Sequence, residues 1–401
     1  MDINKFDLYN PHEDLVEKAY SYYSQLRENN PIHENSDGSF IVTSYETLVD
    51  IYKNHQLWSS DKKEEFKPKF GNSLLYEHHT TSVVFTDQPD HTRIRKIFQH
   101  AFTPRALAHI ENNVEQLVQS YIDEMKEKKD IEFVRDFSFR LPVDVVCDIL
   151  GVPKEDRKLI RDWARLILGA LEPTLSEEQF KSGCSAVLNF KNYLKDQVNL
   201  RKKNPHLSRD GEIISTLIDA QSSGIELSEV ELLHQCIFML NAGHETSTNM
   251  LSHGMCEFIN NKDQLDLLRN DEKLISSTIE EILRYHPPIQ VNNRRNKKDT
   301  ILENKKIPKG TSVHMIIAAA NRDPKQFNNP DKFIVSRKPN KHLSFGLGIH
   351  ICAGNTLARI EGRVAFLKLI RSFKDFNLQA KPKIANRIRF REIEQLKIEV
   401  S

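Results

Sequence analysis

One stretch of thirteen residues constrains this chain more than any other: His342–Leu343–Ser344–Phe345–Gly346–Leu347–Gly348–Ile349–His350–Ile351–Cys352–Ala353–Gly354. Three glycines surround a single cysteine, with Phe345 seven residues ahead of it and His350 two ahead. Asn355–Thr356–Leu357–Ala358–Arg359–Ile360–Glu361 follows and opens an apolar-periodic run that reads as a helix. Cys352 therefore sits in a glycine-rich loop at a helix N-terminus, where converging N–H groups stabilise a thiolate. The glycines let such a loop pass close to a flat, bulky partner. On the residues alone, a buried structural cysteine and a zinc ligand stay open. A zinc site wants further Cys or His ligands at short spacing, and no Cys-x-x-Cys flanks Cys352.

The 401 residues are enough for a large core, and 57 basic against 56 acidic residues exclude a general polyanion or nucleic-acid binder. Five cysteines at 147, 184, 236, 256 and 352 form no disulfide framework, which suits a reducing compartment. The opening Met1–Asp2–Ile3–Asn4–Lys5–Phe6 lacks the basic and apolar regions of a signal peptide. No apolar run approaches the roughly 18 residues of a membrane span. A cytoplasmic protein without a membrane anchor is expected.

In chain order, a helical pattern through Leu15, Ala19 and Leu26 precedes strand-like runs near Ser39–Val42 and a helix near Tyr45–Tyr52. Residues 61–80 read as a loop with short helical pieces, and a helix starts at Pro89 or Asp90. His91 and Arg95 are four apart on that helix, a spacing that could hold an anion. From Ala106 to Leu233 the pattern is mainly helical, broken near Leu171–Thr174 and at Asn204–Pro205 with Ser208–Arg209–Asp210. Ser228–Glu229–Val230–Glu231 has the form of a capping box opening a long helix. Inside that helix Ala242–Gly243–His244–Glu245–Thr246 is odd, since a glycine there costs about 1 kcal/mol relative to alanine. A small residue admits something close to the backbone, and Thr246 could free a carbonyl by bonding back. Glu281 and Arg284, three apart, have salt-bridge spacing ahead of Pro287–Pro288. The C-terminal part, from Ile370 onward, turns strand-like and basic.

The Cys352 loop resembles the haem-binding loop of the cytochrome P450 family, Phe-Gly-x-Gly-x-His-x-Cys-x-Gly, with every fixed position filled. Asp90–His91–Thr92–Arg93–Ile94–Arg95, Ala242–Thr246, Glu281–Arg284 and Arg337 resemble further family segments in the family's order. The resemblance covers roughly residues 8 to 398. It implies a mainly α, single-domain P450 fold, with a β-rich part about 1–60 and 289–318 and a helical core about 85–285 and 355–372 around a buried haem b. It implies Cys352 as thiolate ligand, and His91, Arg95, Arg294 (or Arg295) and His350 as propionate partners. Phe345, Gly346 and Ala242 would lie against the haem. Glu245 and Thr246 would deliver protons to dioxygen, and Glu281, Arg284 and Arg337 would brace the core. Phe238, Asn241, Ile289, Gln290 and Asn292 would face the substrate.

The activity implied is a monooxygenase inserting one oxygen atom from O2 into a C–H bond or alkene. Electrons would come from a separate ferredoxin or flavodoxin with its NAD(P)H-dependent reductase, since no Gly-x-Gly-x-x-Gly follows a strand. Arg93, Lys96, Arg359 and Arg363 are basic residues that could meet its acidic surface. Three amides in the expected lining suggest an oxygenated substrate such as a polyketide-like secondary metabolite. The rivals are a peroxide-driven peroxygenase, against which the Glu245–Thr246 pair argues, and a non-catalytic haem sensor. One departure stands out: Phe390–Arg391–Glu392–Ile393 has glutamate where the family run carries glycine.

Overall fold

The computed structural model describes residue 3 and residues 6–101, 104–128, 130–172, 175–207, 212–222 and 227–401. The breaks expected at Pro173–Thr174 and Ser208–Asp210 lie outside the described residues. Contacts divide the chain into two compact units: Met1–Ser59 with Glu115–Leu141 and Glu245–Ser401, and Ser60–Val114 with Pro142–His244.

Among the described residues, the sheet structure lies in the first unit. Its five-stranded sheet has the order Ile32–Glu34, Phe40–Val42, Ser312–Ile316, Val291–Asn296, Trp58–Ser59. Phe40 pairs with Val313 in parallel, while Val291 pairs with Ile316 antiparallel. The period of two in a strand sorts the side chains into two cores. Val42, Val313 and Met315 pack with Leu48, Ile51 and Leu343 on one face, and Ile41, Val291 and Ile316 with Tyr23 and Leu26 on the other. Phe376–Leu378, Lys397–Val400 and Ile131–Glu132 form a three-stranded sheet, and Lys383–Ile384 pairs with Ile393–Gln395. The strand character expected from Ile370 begins later, because the helix Asn355–Ser372 keeps Leu369 and Ile370 buried to its last turn.

Two buried carboxylates in this unit are treated in opposite ways. Glu281, on the helix Ile275–Tyr285, is fully buried and so is Arg284 one turn on. Arg284 donates from Nε and Nη2 to the two Glu281 oxygens, each at 2.8 Å. Its remaining donors reach the carbonyls of Asn321, Pro330 and Lys332. Arg337 Nε approaches Glu281 Oε2 at 2.9 Å, and its terminal nitrogens bind the carbonyls of Asn328, Asn329 and Lys332. Two cations on one carboxylate leave an excess of positive charge, which this ring of carbonyl oxygens absorbs. Glu361 is buried too, on the helix Asn355–Ser372 beside Ser247, yet neither carboxyl oxygen has a hydrogen-bond partner. Burial pushes its carboxyl up to about 8, with the nearby Ser247 hydroxyl pulling weakly the other way.

The second unit is helical among its described residues. Arg157–Gly169 packs against Glu177–Lys203, with Trp163 meeting Phe190 and Tyr193. Segment 61–80 resolves into two eight-residue helices, Lys63–Phe70 and Leu74–Thr81, because Phe66 and Phe70 have His79 and Phe85 to pack on. Both serine starts are reciprocal caps: Ser176 with Gln179, and Ser228 with Glu231.

Replacing Arg284 by alanine is expected to lower the unfolding free energy by about 3–5 kcal/mol, because it takes one of two cations from a buried carboxylate and orphans the carbonyls around it. Arg284→Lys should recover little of this in chemical denaturation, since an ammonium cannot reproduce the planar fork. Glu361 predicts a pH effect. Its folded value lies above the ordinary 4.5, so the native state holds an extra proton between there and about 8. The stability tied to that proton is complete below the lower value and is lost as pH rises through the upper one. Glu361→Gln should therefore be more stable relative to the parent at pH 8 than at pH 5, read as denaturation midpoints; an equal offset at both would refute it.

Candidate functional site

The start of the Cys352 loop is pinned before the glycines begin. Leu343 N donates to Asn321 Oδ1 at 2.8 Å, and Ser344 Oγ donates to the Leu283 carbonyl at 2.6 Å. Cys352 N donates back to the Phe345 carbonyl at 2.8 Å and closes the loop, while Asn355 Nδ2 holds the Cys352 carbonyl at 2.6 Å. Gly348 has φ +70°, and a Cβ there would stand 2.6 Å from the Tyr52 carbonyl oxygen, so no side chain fits. Arg359 lies 4.5 Å over the Phe345 ring and chelates Glu280 at 2.6 and 2.9 Å. Burial opposes ionisation of Glu280, but His342 and Arg359 hold it down to about 2.

The cysteines differ in what they can do. Cys147, Cys236 and Cys256 are buried, and burial pushes each thiol up to about 12. Those three stay protonated and inert. Cys352 is only partly covered, three residues ahead of its helix, and Cys184 is part-covered within a helix. From Ser344 to Gly354 none of the eleven residues is buried, although Leu343 before them is. An uncovered ribbon inside a packed unit is what a cradle for a flat group looks like.

Tyr52, which the sequence did not single out, links this loop to the sheet. Its carbonyl backs Gly348 and its ring lies 3.7 Å from where a Gly346 Cβ would be. Arg294 is buried with its guanidinium 5.6 Å over the Tyr52 ring, and Asn292 Nδ2 reaches the Tyr52 hydroxyl at 3.4 Å. Strand alternation sends Arg295 the other way, to the Gly310 carbonyl at 2.7 Å. The structure thus separates the two arginines: Arg294, not Arg295, shares the loop's side with Tyr52. His350 lies in the short turn Gly348–His350 within the ribbon. In the second unit His91 is buried in the first turn of Asp90–Ala101, with Arg95 part-exposed one turn on.

The long helix runs unbroken from Glu229 to Asn260. Phe238, Ala242 and Thr246 are spaced by four and are all incompletely covered, in a helix whose flanks are largely buried. Gly243 admits Val146: a Cβ at 243 would meet Val146 Cγ2 at 2.6 Å, so helix packing is what uses that glycine. His244 is buried, and burial lowers its ring to about 3, with Arg161 and Arg165 adding to the effect. It packs as a neutral residue. Phe238 packs on Val83 and Ile94, and Ile289 on the sheet core beside Leu343. Gln290 donates to the Pro287 carbonyl at 2.7 Å, and Asn292 accepts from the Asn293 amide at 2.8 Å, so part of the expected polar lining is used internally. Asn241 Oδ1 and Gln290 Oε1 stay buried without a partner.

Glu245 is ion-paired with Arg387, which also binds Glu392 at 2.9 Å. Arg387 carried no motif; only the departure at Glu392 marked that region. Two basic residues offered for an acidic partner are committed elsewhere: Arg93 to Glu231 at 2.5 Å, and Arg359 to Glu280. Lys96 is exposed.

In the first unit, then, a reachable thiol at a helix start, an uncovered glycine ribbon and a buried arginine on the same side suit a flat metallated ring bearing carboxylates, which is haem. A family model for cytochrome P450 matches residues 31–391. The biotin biosynthesis cytochrome P450 of Bacillus subtilis is 33% identical over 371 residues, 91% of each chain. The polyketide biosynthesis cytochrome P450 PksS of the same organism is 30% identical, covering 94% of this chain and 93% of that one. Among solved structures, P450BioI in complex with an acyl carrier protein bearing hexadec-9Z-enoic acid superposes with a TM-score of 0.89 at 32% identity, over 96% of this chain and 99% of that one. Matched along nearly its whole length by the family model and by relatives of its own size, the chain belongs to the cytochrome P450 family, monooxygenases that carry haem b on a cysteine thiolate.

Proposed function

We propose that Cys352 is the thiolate ligand of this monooxygenase, and that its substrate is an oxygenated secondary metabolite of polyketide-like character. The observation that carries the first part is the closed, uncovered Cys352 loop beside a helix N-terminus. The haem, when bound, supplies the activation of dioxygen and the insertion of one of its atoms into a C–H bond or alkene. The chain's own residues do the rest. Cys352 Sγ would hold the iron, and backbone N–H groups at the start of Asn355–Ser372 would stabilise its charge. Arg294, His350, His91 and Arg95 are the residues that would bind the ring's propionates. Phe345, Gly346 and Ala242 would present small or flat surfaces to the ring. Glu245 and Thr246 Oγ1 would hold protons and pass them on during turnover. Glu281, Arg284 and Arg337 hold the loop's foundation and take no part in the chemistry.

Two features support the substrate class. Asn241 and Gln290 each keep a buried amide oxygen without a partner, acceptors that a hydroxyl or N–H of the substrate would satisfy. Among the relatives, one is named for polyketide biosynthesis. Phe238, Ile289 and Asn292 would complete the contacts. The two electrons come from a separate ferredoxin or flavodoxin with its NAD(P)H-dependent reductase, with Lys96 among the exposed cations available to it. Among the described residues no helix is long and apolar enough to cross a membrane, and none of the five cysteines forms a disulfide, which suits a reducing, cytoplasmic location.

The reduced, carbon-monoxide-treated protein is expected to show the red-shifted Soret band of a thiolate-ligated haem, and Cys352→Ala to abolish it. Survival of the band in that variant would remove Cys352 from the iron. Titration of the oxidised protein should then give larger spin-state shifts with hydroxylated polyketide-type compounds than with saturated fatty acids of equal length; the reverse order would overturn the substrate class.

A further inference from the structure

The loop between the hairpin strands Lys383–Ile384 and Ile393–Gln395 is fastened along one face of the long helix. Asn249 Nδ2 donates to the Phe390 carbonyl at 2.8 Å, and His253 Nε2 donates to the Arg391 carbonyl at 3.0 Å. One turn earlier, Glu245 meets Arg387. Positions 245, 249 and 253 repeat every four residues, so the three attachments form a ladder on one helix face. The rung at 245 differs in kind: it is an ion pair whose carboxylate has other work to do. Side-chain exposure is 8% for Glu245, 15% for Arg387 and 11% for Glu392, so all three charges sit in largely dry surroundings. Arg387 further lies 4.8 Å over the Phe390 ring.

We propose that Arg387 and Glu392 are positioning residues for Glu245, with Glu392 holding Arg387 while the Glu245 carboxylate leaves it to pass protons. This rests on the reading of Glu245 and Thr246 as the proton relay. A proton taken up from water at a Glu245 carboxyl oxygen neutralises that group and weakens its hold on Arg387. The carboxyl then turns and gives the proton on toward Thr246 Oγ1, and the regenerated carboxylate returns to the guanidinium. Without a second acid, each departure would take a carboxylate from a guanidinium in largely dry surroundings, and that penalty would stand in front of every transfer. Glu392 removes it, because Arg387 keeps a partner in either position of Glu245. The departure from the family run at position 392 thereby acquires a purpose: glycine there offers no charge. Arg387 and Glu392 touch neither substrate nor haem, and act only through Glu245.

The test uses the holoenzyme turning over with a surrogate plant-type ferredoxin and its NADPH-dependent reductase, with O2 consumption followed in H2O and in D2O. Glu392→Gln is expected to slow O2 consumption about tenfold and to raise the solvent isotope effect, with Glu392→Asp restoring most of both; tenfold corresponds to about 1.4 kcal/mol. Adding Glu392→Gln to Arg387→Gln should change nothing further, since no guanidinium is left for Glu392 to hold. Chemical denaturation of the same four proteins should give midpoint losses at 387 and 392 that are not additive. A Glu392→Gln protein with parental rate and isotope effect would overturn the proposal, as would losses that add in the double variant. Absence of the thiolate carbon-monoxide spectrum from the parent protein would instead overturn the haem reading, and the two failures cannot be confused.

Discussion

Glu281 is the carboxylate on which the haem side of this molecule is built. It joins two arginines, and through them the carbonyls of Asn321, Asn328, Asn329, Pro330 and Lys332, into one buried charged knot. Asn321 has a second task, since its side chain bonds Leu343 N and Ser344 Oγ at the foot of the Cys352 loop. The loop therefore hangs from the same few residues that neutralise the knot. Hydrophobic burial alone would leave these loop segments free to slide; directed bonds to a fixed charge do not.

The contrast with Glu361 shows that burial does not dictate a carboxylate's state. Both are sealed from water, but one is given cations and hydrogen bonds and the other is given neither. Glu245 lies between these extremes, largely buried and paired with one guanidinium. What each buried acid of this unit is given to bind is thus set by its surroundings and not by its own chemistry.

Much of the site was legible because it is local in sequence. A cysteine three residues from a helix start, a histidine and arginine four apart, and a glutamate and arginine three apart are all patterns that a single stretch of chain carries. The helix start at Ser228 was legible for the same reason. What escaped was long-range. Tyr52 supports residue 348 from nearly three hundred positions away, and Arg387 meets Glu245 across 142. Neither has a spacing to read, because the partner lies on another element. At Gly243 the small residue does admit something close to the backbone, and what comes there is Val146 from a neighbouring helix, which no spacing in the long helix reveals. The helical pieces in segment 61–80 were expected, but their extent depends on aromatic contacts that no periodicity displays.

The Gly348 contact sets a tolerance. Because the loop lies against the Tyr52 main-chain carbonyl and not a side chain, its spacing from the helix Tyr45–Lys53 has no rotamer to choose. That helix is itself seated in the aliphatic core through Leu48 and Ile51, so the ribbon carrying the thiol takes its position from the helix as a rigid piece. A change of one core side chain therefore reaches the thiol only if it moves the whole helix.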